Sequence, residues 1–179
     1  MLSITRHFDF CASHRLLTSV PEQHPCNCLH GHNYEGSVRV IVGPRFDADM
    51  ILDFSHLKEI VNDVMGFFDH RTILKSSDPI IQNLTEIKQR ITVLRNDPTV
   101  EFMTQVLSRM FAVRILQRMI NQDRWKDALE VKSVEVNLSE TSNSFGTASL
   151  DFDFVIPSSV TKFLDESAAK LLQDISIVQ

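Results

Sequence analysis

The chain has 179 residues, 43% of them hydrophobic, which is enough for one domain to bury an ordinary core without disulfides or metal staples. Lys and Arg total 18 against 23 Asp and Glu, a formal net charge of -5 with a pI of about 5.8. That balance argues against general nucleic-acid binding while leaving room for a local basic pocket for a phosphorylated ligand. No apolar run approaches the roughly 20 residues that cross a bilayer, and the amino terminus starts directly on a strand-like pattern, so a soluble, cytoplasmic protein without a membrane partner is expected. Cys11, Cys26 and Cys28 form an odd set that reads as free thiols.

Leu2 to Ser13 alternates through Ile4, Arg6, Phe8, Phe10 and Ala12, and Asn33 to Val42 alternates in the same way; both read as strands. The polar stretch Thr18 to Asn27 between them, with Pro21 and Pro25, is too long for a tight hairpin turn. Asp53 stands as an N-cap before Phe54, Leu57, Ile60, Val61 and Val64, a helical spacing that ends near Gly66. Asp78 to Lys88 allows a short extra helix. A long helix starts at Asp97-Pro98-Thr99 and runs through Phe102, Val106, Met110, Val113 and Ile120. Val131 to Leu138 and Thr147 to Ile156 alternate as two further strands, read as a hairpin, and Ser158 to Gln179 carries Val160, Phe163, Leu164, Ala168, Leu171 and Leu172 at helical spacing. The order strand, strand, helix, helix, strand, strand predicts an α+β domain over 1–157, an antiparallel sheet with two helices on one face, and a C-terminal helical extension over 158–179 packed on it. Two unpaired sheet edges invite a homo-oligomer.

The most informative stretch is Cys26-Asn-Cys-Leu-His30-Gly-His32, preceded by His14. In a strand, residues two apart leave the same face, so His30 and His32 point together. Pairing with the end of the first strand would add His14, giving three imidazoles of the kind that hold a catalytic zinc with its fourth position open. The competing reading is a polar turn with surface histidines. A Cys26 thiolate beside a cation would have a lowered pKa and act as base or nucleophile, whereas Cys28 and Cys11 better fit buried, inert thiols. Asp69-His70 is a carboxylate–imidazole pair that can poise a base, although such pairs are usually found at surfaces. Glu140 ends the third strand, and Glu101 stands beside Thr99 at the start of the second long helix.

In order along the chain, Ala12-Ser-His14-Arg-Leu, Cys26-x-x-x-His30-Gly-His32-Asn-Tyr, Asp53-Phe-x-x-Leu57-Lys58, Phe68-Asp69-His70, Pro98-Thr99-x-Glu101 and Glu140-Thr141 resemble the 6-pyruvoyltetrahydropterin and 6-carboxytetrahydropterin synthases, a tunnelling-fold family. The resemblance implies that His14, His30 and His32 bind Zn2+, that Cys26 transfers protons assisted by Asp69 and His70, and that Glu140 grips the pterin of a 7,8-dihydroneopterin triphosphate substrate. Glu101, beside Thr99, is the rival substrate anchor. It further implies a hexamer with sites at subunit interfaces. A Cys four residues before the first His of His-Gly-His looks like the 6-carboxytetrahydropterin synthase pattern of queuosine precursor synthesis. The alternatives are a 6-pyruvoyltetrahydropterin synthase and a catalytically silent pterin-binding member. The chain departs from the family pattern at Leu74 and Phe102, in lacking an aromatic after Glu140-Thr141, and in its long tail.

Overall fold

The computed structural model describes residues 1–178. Period-two alternation builds its centre. β1 (Leu2–His14) and β2 (His30–Val42) pair antiparallel without a break from Leu2 opposite Val42 to His14 opposite His30. On one face they present Phe8, Phe10, Ala12 and His14 from β1 and Tyr34, Val38, Val40 and Val42 from β2, all buried. The other face is polar: His7, Asp9, Cys11, Asn33, Glu35 and Arg39 are exposed. Phe10 stacks on Tyr34 at 4.7 Å, and Phe8 meets Phe111 at 5.5 Å.

β5 (Val131–Thr141) pairs with β2, and β6 (Ser144–Asp151) closes the expected hairpin with β5. These four strands form the anticipated antiparallel sheet. Three more make it seven-stranded and mixed, in the order β6-β5-β2-β1-β3-β4-β7. β3 (Arg71–Lys75) runs parallel to β1, touching it only at Ala12 to His14, and β4 (Ile91–Leu94) runs parallel to β3. Neither strand alternates, because Arg71 to Leu74 is buried throughout, as a strand covered on both faces must be. β7 (Ile175–Val178) lies antiparallel to β4, so the tail expected to be wholly helical ends in an edge strand. The last strand of the hairpin also stops earlier than its alternation suggested. Phe152 and Phe154 stack on each other at 4.8 Å and meet the Phe163 ring edge-on and tilted, so their spacing reflects packing under the tail helix instead of a ladder.

α1 (Phe54–Met65) begins where Asp53 accepts from Ser55 N at 2.6 Å and buries Leu57, Ile60, Val61, Val64 and Met65. α2 (Ile80–Glu86) is the short extra helix. α3 (Val100–Asn121) is buried on most of its circumference because the sheet, α1 and α5 (Pro157–Asp174) enclose it, and α4 (Trp125–Leu129) is a turn the spacing did not reveal. In the segment after residue 157, Arg109 donates to the Ser167 hydroxyl at 3.2 Å, and Arg95 pairs with the buried Asp174 carboxylate at 3.2 Å. No helix among the described residues is long and apolar enough to cross a membrane.

Gly36 lies opposite Phe8 in this ladder, and an added Cβ would meet the Phe8 ring at 2.5 Å and Asn137 O at 2.6 Å. Gly36→Ala should therefore destabilise by about 1–3 kcal/mol, the usual scale of overpacking. The check is the urea midpoint; an unchanged midpoint would mean the two strands can spread at no cost.

Candidate metal centre

The β1–β2 register brings the three histidines together. His14 stands opposite His30, and His32 stands opposite Ala12 one step further in, so all three rings leave the buried face, with centroids 4.5, 4.9 and 5.2 Å apart. His14 Nδ1 lies 3.0 Å from the carbonyl oxygen of Pro98, and His30 Nδ1 lies 2.8 Å from that of Cys28. A carbonyl can only accept, so each Nδ1 carries the proton and each Nε2 lone pair turns to the centre. Those two Nε2 atoms are 3.1 Å apart, a contact between two lone pairs that requires a proton or a cation.

Glu140 supplies the negative charge. It continues the inward row Val134, Val136, Leu138 of β5, and the ladder with β6 shifts register between Ser139 and Thr141. Its Oε1 lies 2.8 Å from His14 Nε2 and 3.1 Å from His32 Nε2, so a cation or a shared proton must stand between these atoms. The contact with His14, with the neighbouring imidazoles, holds the Glu140 carboxyl below its usual range against the opposing effect of burial. Burial, with help from the neighbouring imidazoles, lowers the His32 pKa against the attraction of Glu140. Both shifts favour the forms that ligate metals: a neutral imidazole and an ionised carboxylate.

The donor set fits a divalent transition metal. One ligand atom from each of His14, His30, His32 and Glu140 lies within 4.8 Å of all the others. The His32 Nε2 is buried with no hydrogen-bond partner, as is the Tyr34 hydroxyl beneath it. An orphaned buried nitrogen costs stability unless something binds it, and a borderline-soft cation answers a cluster of imidazoles.

The remaining candidates are distributed differently. Cys26 sits on a 3-10 turn, Pro25–Asn27, with its N–H donating to His24 Nδ1 and its carbonyl accepting from Leu16 N. Asp69 and His70 pair with each other at 2.8 Å, and Asp69 also accepts from Cys11 N at 3.0 Å. Burial disfavours the Asp69 anion, but the bonds from Cys11 and His70 outweigh it and lower the pKa. His70 is held at φ 55 with an exposed ring, lining a cavity of about 570 Å³ with Cys11, Ser13 and Asn33 on the polar sheet face. Cys26 and the Asp69–His70 pair thus share no hydrogen bond within one chain. Cys11 and Cys28 are exposed, contrary to the reading of buried thiols, because Cys11 falls on the outward row of β1. Thr99 caps α3 by accepting from Phe102 N at 3.3 Å, and with Glu101 it lines a cavity of about 340 Å³ that His14, Glu140 and Phe145 also line.

Two structural supports were hidden in the sequence. Arg15 grips the buried Asp78 carboxylate with two donors. Asp97, which reads as part of a helix start, accepts from Leu17 N at 3.0 Å, Thr18 N at 2.8 Å and also Ser19 N, tying the loop after β1 to the residue before Pro98. Burial opposes ionisation of Asp97, but the bonds from Ser19, Thr18 and Leu17 prevail and bring its pKa down to about 2. A depressed folded-state pKa stabilises above the unfolded value of 3.8 and is lost as pH falls toward 2. Wild type should therefore exceed Asp97→Asn by up to about 2 kcal/mol at pH 6, with the gap closing by about pH 2. Urea unfolding across that range checks it; a gap independent of pH would contradict the assignment.

A curated relative, the 6-carboxy-5,6,7,8-tetrahydropterin synthase of Aquifex aeolicus, is 28% identical over 155 residues, 79% of this chain and 93% of the relative. A Halobacterium salinarum protein named "Probable 6-carboxy-5,6,7,8-tetrahydropterin synthase" is 36% identical over 109 residues, 58% of this chain and 65% of its own. Among solved structures, the 6-pyruvoyl tetrahydropterin synthase of Plasmodium vivax superposes with a TM-score of 0.61 at 18% identity, covering 85% of this chain and 100% of that one, a likeness of fold. The model of one protein family, described as 6-pyruvoyl tetrahydropterin synthase, matches residues 3–150, which include every histidine and carboxylate of the cluster, and the chain belongs to that family of pterin lyases.

Proposed function

We propose that the chain is a zinc-dependent 6-carboxy-5,6,7,8-tetrahydropterin synthase, converting 7,8-dihydroneopterin triphosphate and water to 6-carboxytetrahydropterin, acetaldehyde and triphosphate in queuosine precursor synthesis. The observation that carries this reading is the convergence of three Nε2 atoms, two of them fixed by backbone carbonyls. The name of the Aquifex aeolicus relative and the four-residue offset from Cys26 to His30 favour this reaction over the 6-pyruvoyltetrahydropterin synthase alternative.

A bound zinc supplies Lewis acidity, which makes a side-chain hydroxyl and its neighbouring C–H easier to deprotonate. His14, His30 and His32 hold the ion. Cys26, on the turn just before His30, takes and returns the proton as thiolate and thiol. Beside His14, the cavity lined by Thr99, Glu101 and Glu140 offers carboxylates to the adjacent N–H donors of an aminopyrimidine edge. Asp69 and His70 lie on the opposite sheet face from their own imidazoles, so in this reading they assist Cys26 of a second copy within a cytoplasmic homo-oligomer, expected to be a hexamer. The free edge of β1 before Ala12 and the outer edge of β6 support that assembly.

His30→Ala should lose most of its zinc by elemental analysis while its far-ultraviolet circular dichroism stays native. Full occupancy in that variant would remove the ion from this site. Cys26→Ala should keep zinc and lose turnover of dihydroneopterin triphosphate by about 100-fold or more. Product analysis separates the reactions: triphosphate without acetaldehyde would identify the pyruvoyl chemistry.

The shared site makes a second expectation. Cys26→Ala and His70→Asn, each inactive alone, should recover about a quarter of wild-type activity when refolded together in equal amounts, since random assembly leaves that share of sites with both residues intact. No recovery would place both residues in one chain's site.

A further inference from the structure

We infer that the cavity beside Asp69, lined by Arg6 and Arg90, is a phosphate subsite that holds the triphosphate of a substrate whose side chain lies over a second copy's imidazoles. It rests on the proposal above that Asp69 and His70 serve the partner's site. The need for such a subsite shows in the cavity next to His14, which is lined by Glu101 and Glu140 and by no Lys or Arg. Two carboxylates suit the N–H donors of a ring and repel a polyphosphate. The net charge of the chain is -5, so a pocket for that anion has to be local.

The cations gather at the free edge of β1. A cavity of about 420 Å³ there is lined by Arg6, His7 and Arg90, and Asp69 forms part of its wall. Arg6 stands on the inward row of β1 with Ile4 and Phe8, yet its Nε is buried without a hydrogen-bond partner. Arg90 is placed by its carbonyl, which accepts from Thr72 N at 3.0 Å. Arg71 bonds to the cavity wall through the Gly66 carbonyl at 3.2 Å and to the Ile91 carbonyl at 3.4 Å. It is 8% exposed and pairs with no carboxylate among the described residues. Carbonyls satisfy its donors and leave its charge uncancelled, a costly state for a buried cation. Burial lowers the Arg71 pKa and repulsion from Arg90 adds to it, as between neighbouring cations. Against these guanidiniums the cavity sets two carboxylates, Asp9 and Asp69, and Asp69 is already bonded to Cys11 N and His70. An anion with several oxygens resolves the excess, and the planar fork of Arg matches phosphate. β3 joins β1 only at Ala12 to His14, so the edge that carries Arg6 and Asp9 is the one a second copy extends in the proposed assembly. The partner's substrate then meets Asp69, His70 and this cavity together.

The test uses the zinc-loaded full chain and three readouts: calorimetric binding of inorganic triphosphate, KM for 7,8-dihydroneopterin triphosphate, and affinity for unphosphorylated 7,8-dihydroneopterin. Arg6→Gln and Arg90→Gln should each weaken triphosphate binding and raise KM by about tenfold, the scale of one charge-assisted contact. Zinc content and affinity for dihydroneopterin should stay at the wild-type level. Arg90→Lys, with the charge kept and the fork lost, should fall between wild type and Arg90→Gln. Arg114→Gln, at an exposed cation on α3, should match wild type. His30→Ala, lacking the ion, should bind triphosphate as wild type does. Triphosphate binding that survives both Gln variants, or that disappears in His30→Ala, overturns the inference, because the anion then sits elsewhere or on the metal. Binding lost in the Gln variants with KM unchanged leaves a site for free phosphate and overturns its assignment to the substrate. If wild type neither turns over the substrate nor binds dihydroneopterin, while triphosphate binding still depends on Arg6 and Arg90, the proposed function fails and the phosphate site stands.

Discussion

The register between β1 and β2 is the constraint on which everything else depends. With His14 opposite His30 and Ala12 opposite His32, the pleat sends three imidazoles to one side, and a slip of one residue would send those of β2 to the other. Such a slip is opposed along the whole length of the pair. Phe10 over Tyr34, Phe8 opposite Gly36, and the buried valines of β2 all need the same alignment. The chemistry at one end of the ladder is thus secured by hydrophobic burial at the other.

Around that ladder the molecule is organised by what remains unsatisfied. Most buried polar groups find partners: Asp97 in the loop amides, Asp78 in Arg15, Thr92 in the carbonyl of Phe67. In the imidazole cluster His32 Nε2 and the Tyr34 hydroxyl are left without hydrogen bonds side by side, as Arg6 Nε and Glu130 Oε2 are singly elsewhere. Natural folds retain such defects where a ligand resolves them. The residues matched by the family model include all four members of the cluster.

Much of this was legible in the chain because it rests on local periodicity. The four long strands, α1 with its Asp53 cap, the body of α3, and the shared face of His30 and His32 follow from spacings of two and of three to four, whereas α3 begins at Val100 behind a Thr99 cap and not at Asp97-Pro98. The mixed half of the sheet does not, since β3, β4 and β7 are four or five residues long, and β3 and β4 are largely buried with no alternation to betray them. That gap hid the location of Asp69 and His70, which is set by where β3 joins β1. The work of Asp97 was hidden for another reason. Its partners lie about 80 residues away, and only tertiary structure brings Leu17, Thr18 and Ser19 to its carboxylate.

The way the rings are oriented has a consequence for heredity. His14 and His30 are fixed by the carbonyls of Pro98 and Cys28, and a carbonyl is present whatever side chain stands at that position. Point mutation at 98 or 28 can move these oxygens only by bending the backbone, which the start of α3 and the Pro25–Asn27 turn resist. Glu140 offers its contact through a side chain and can lose it in a single codon change. Half of the cluster's orientation is therefore shielded from genetic drift, and variation among descendants of this chain should concentrate on the carboxylate side.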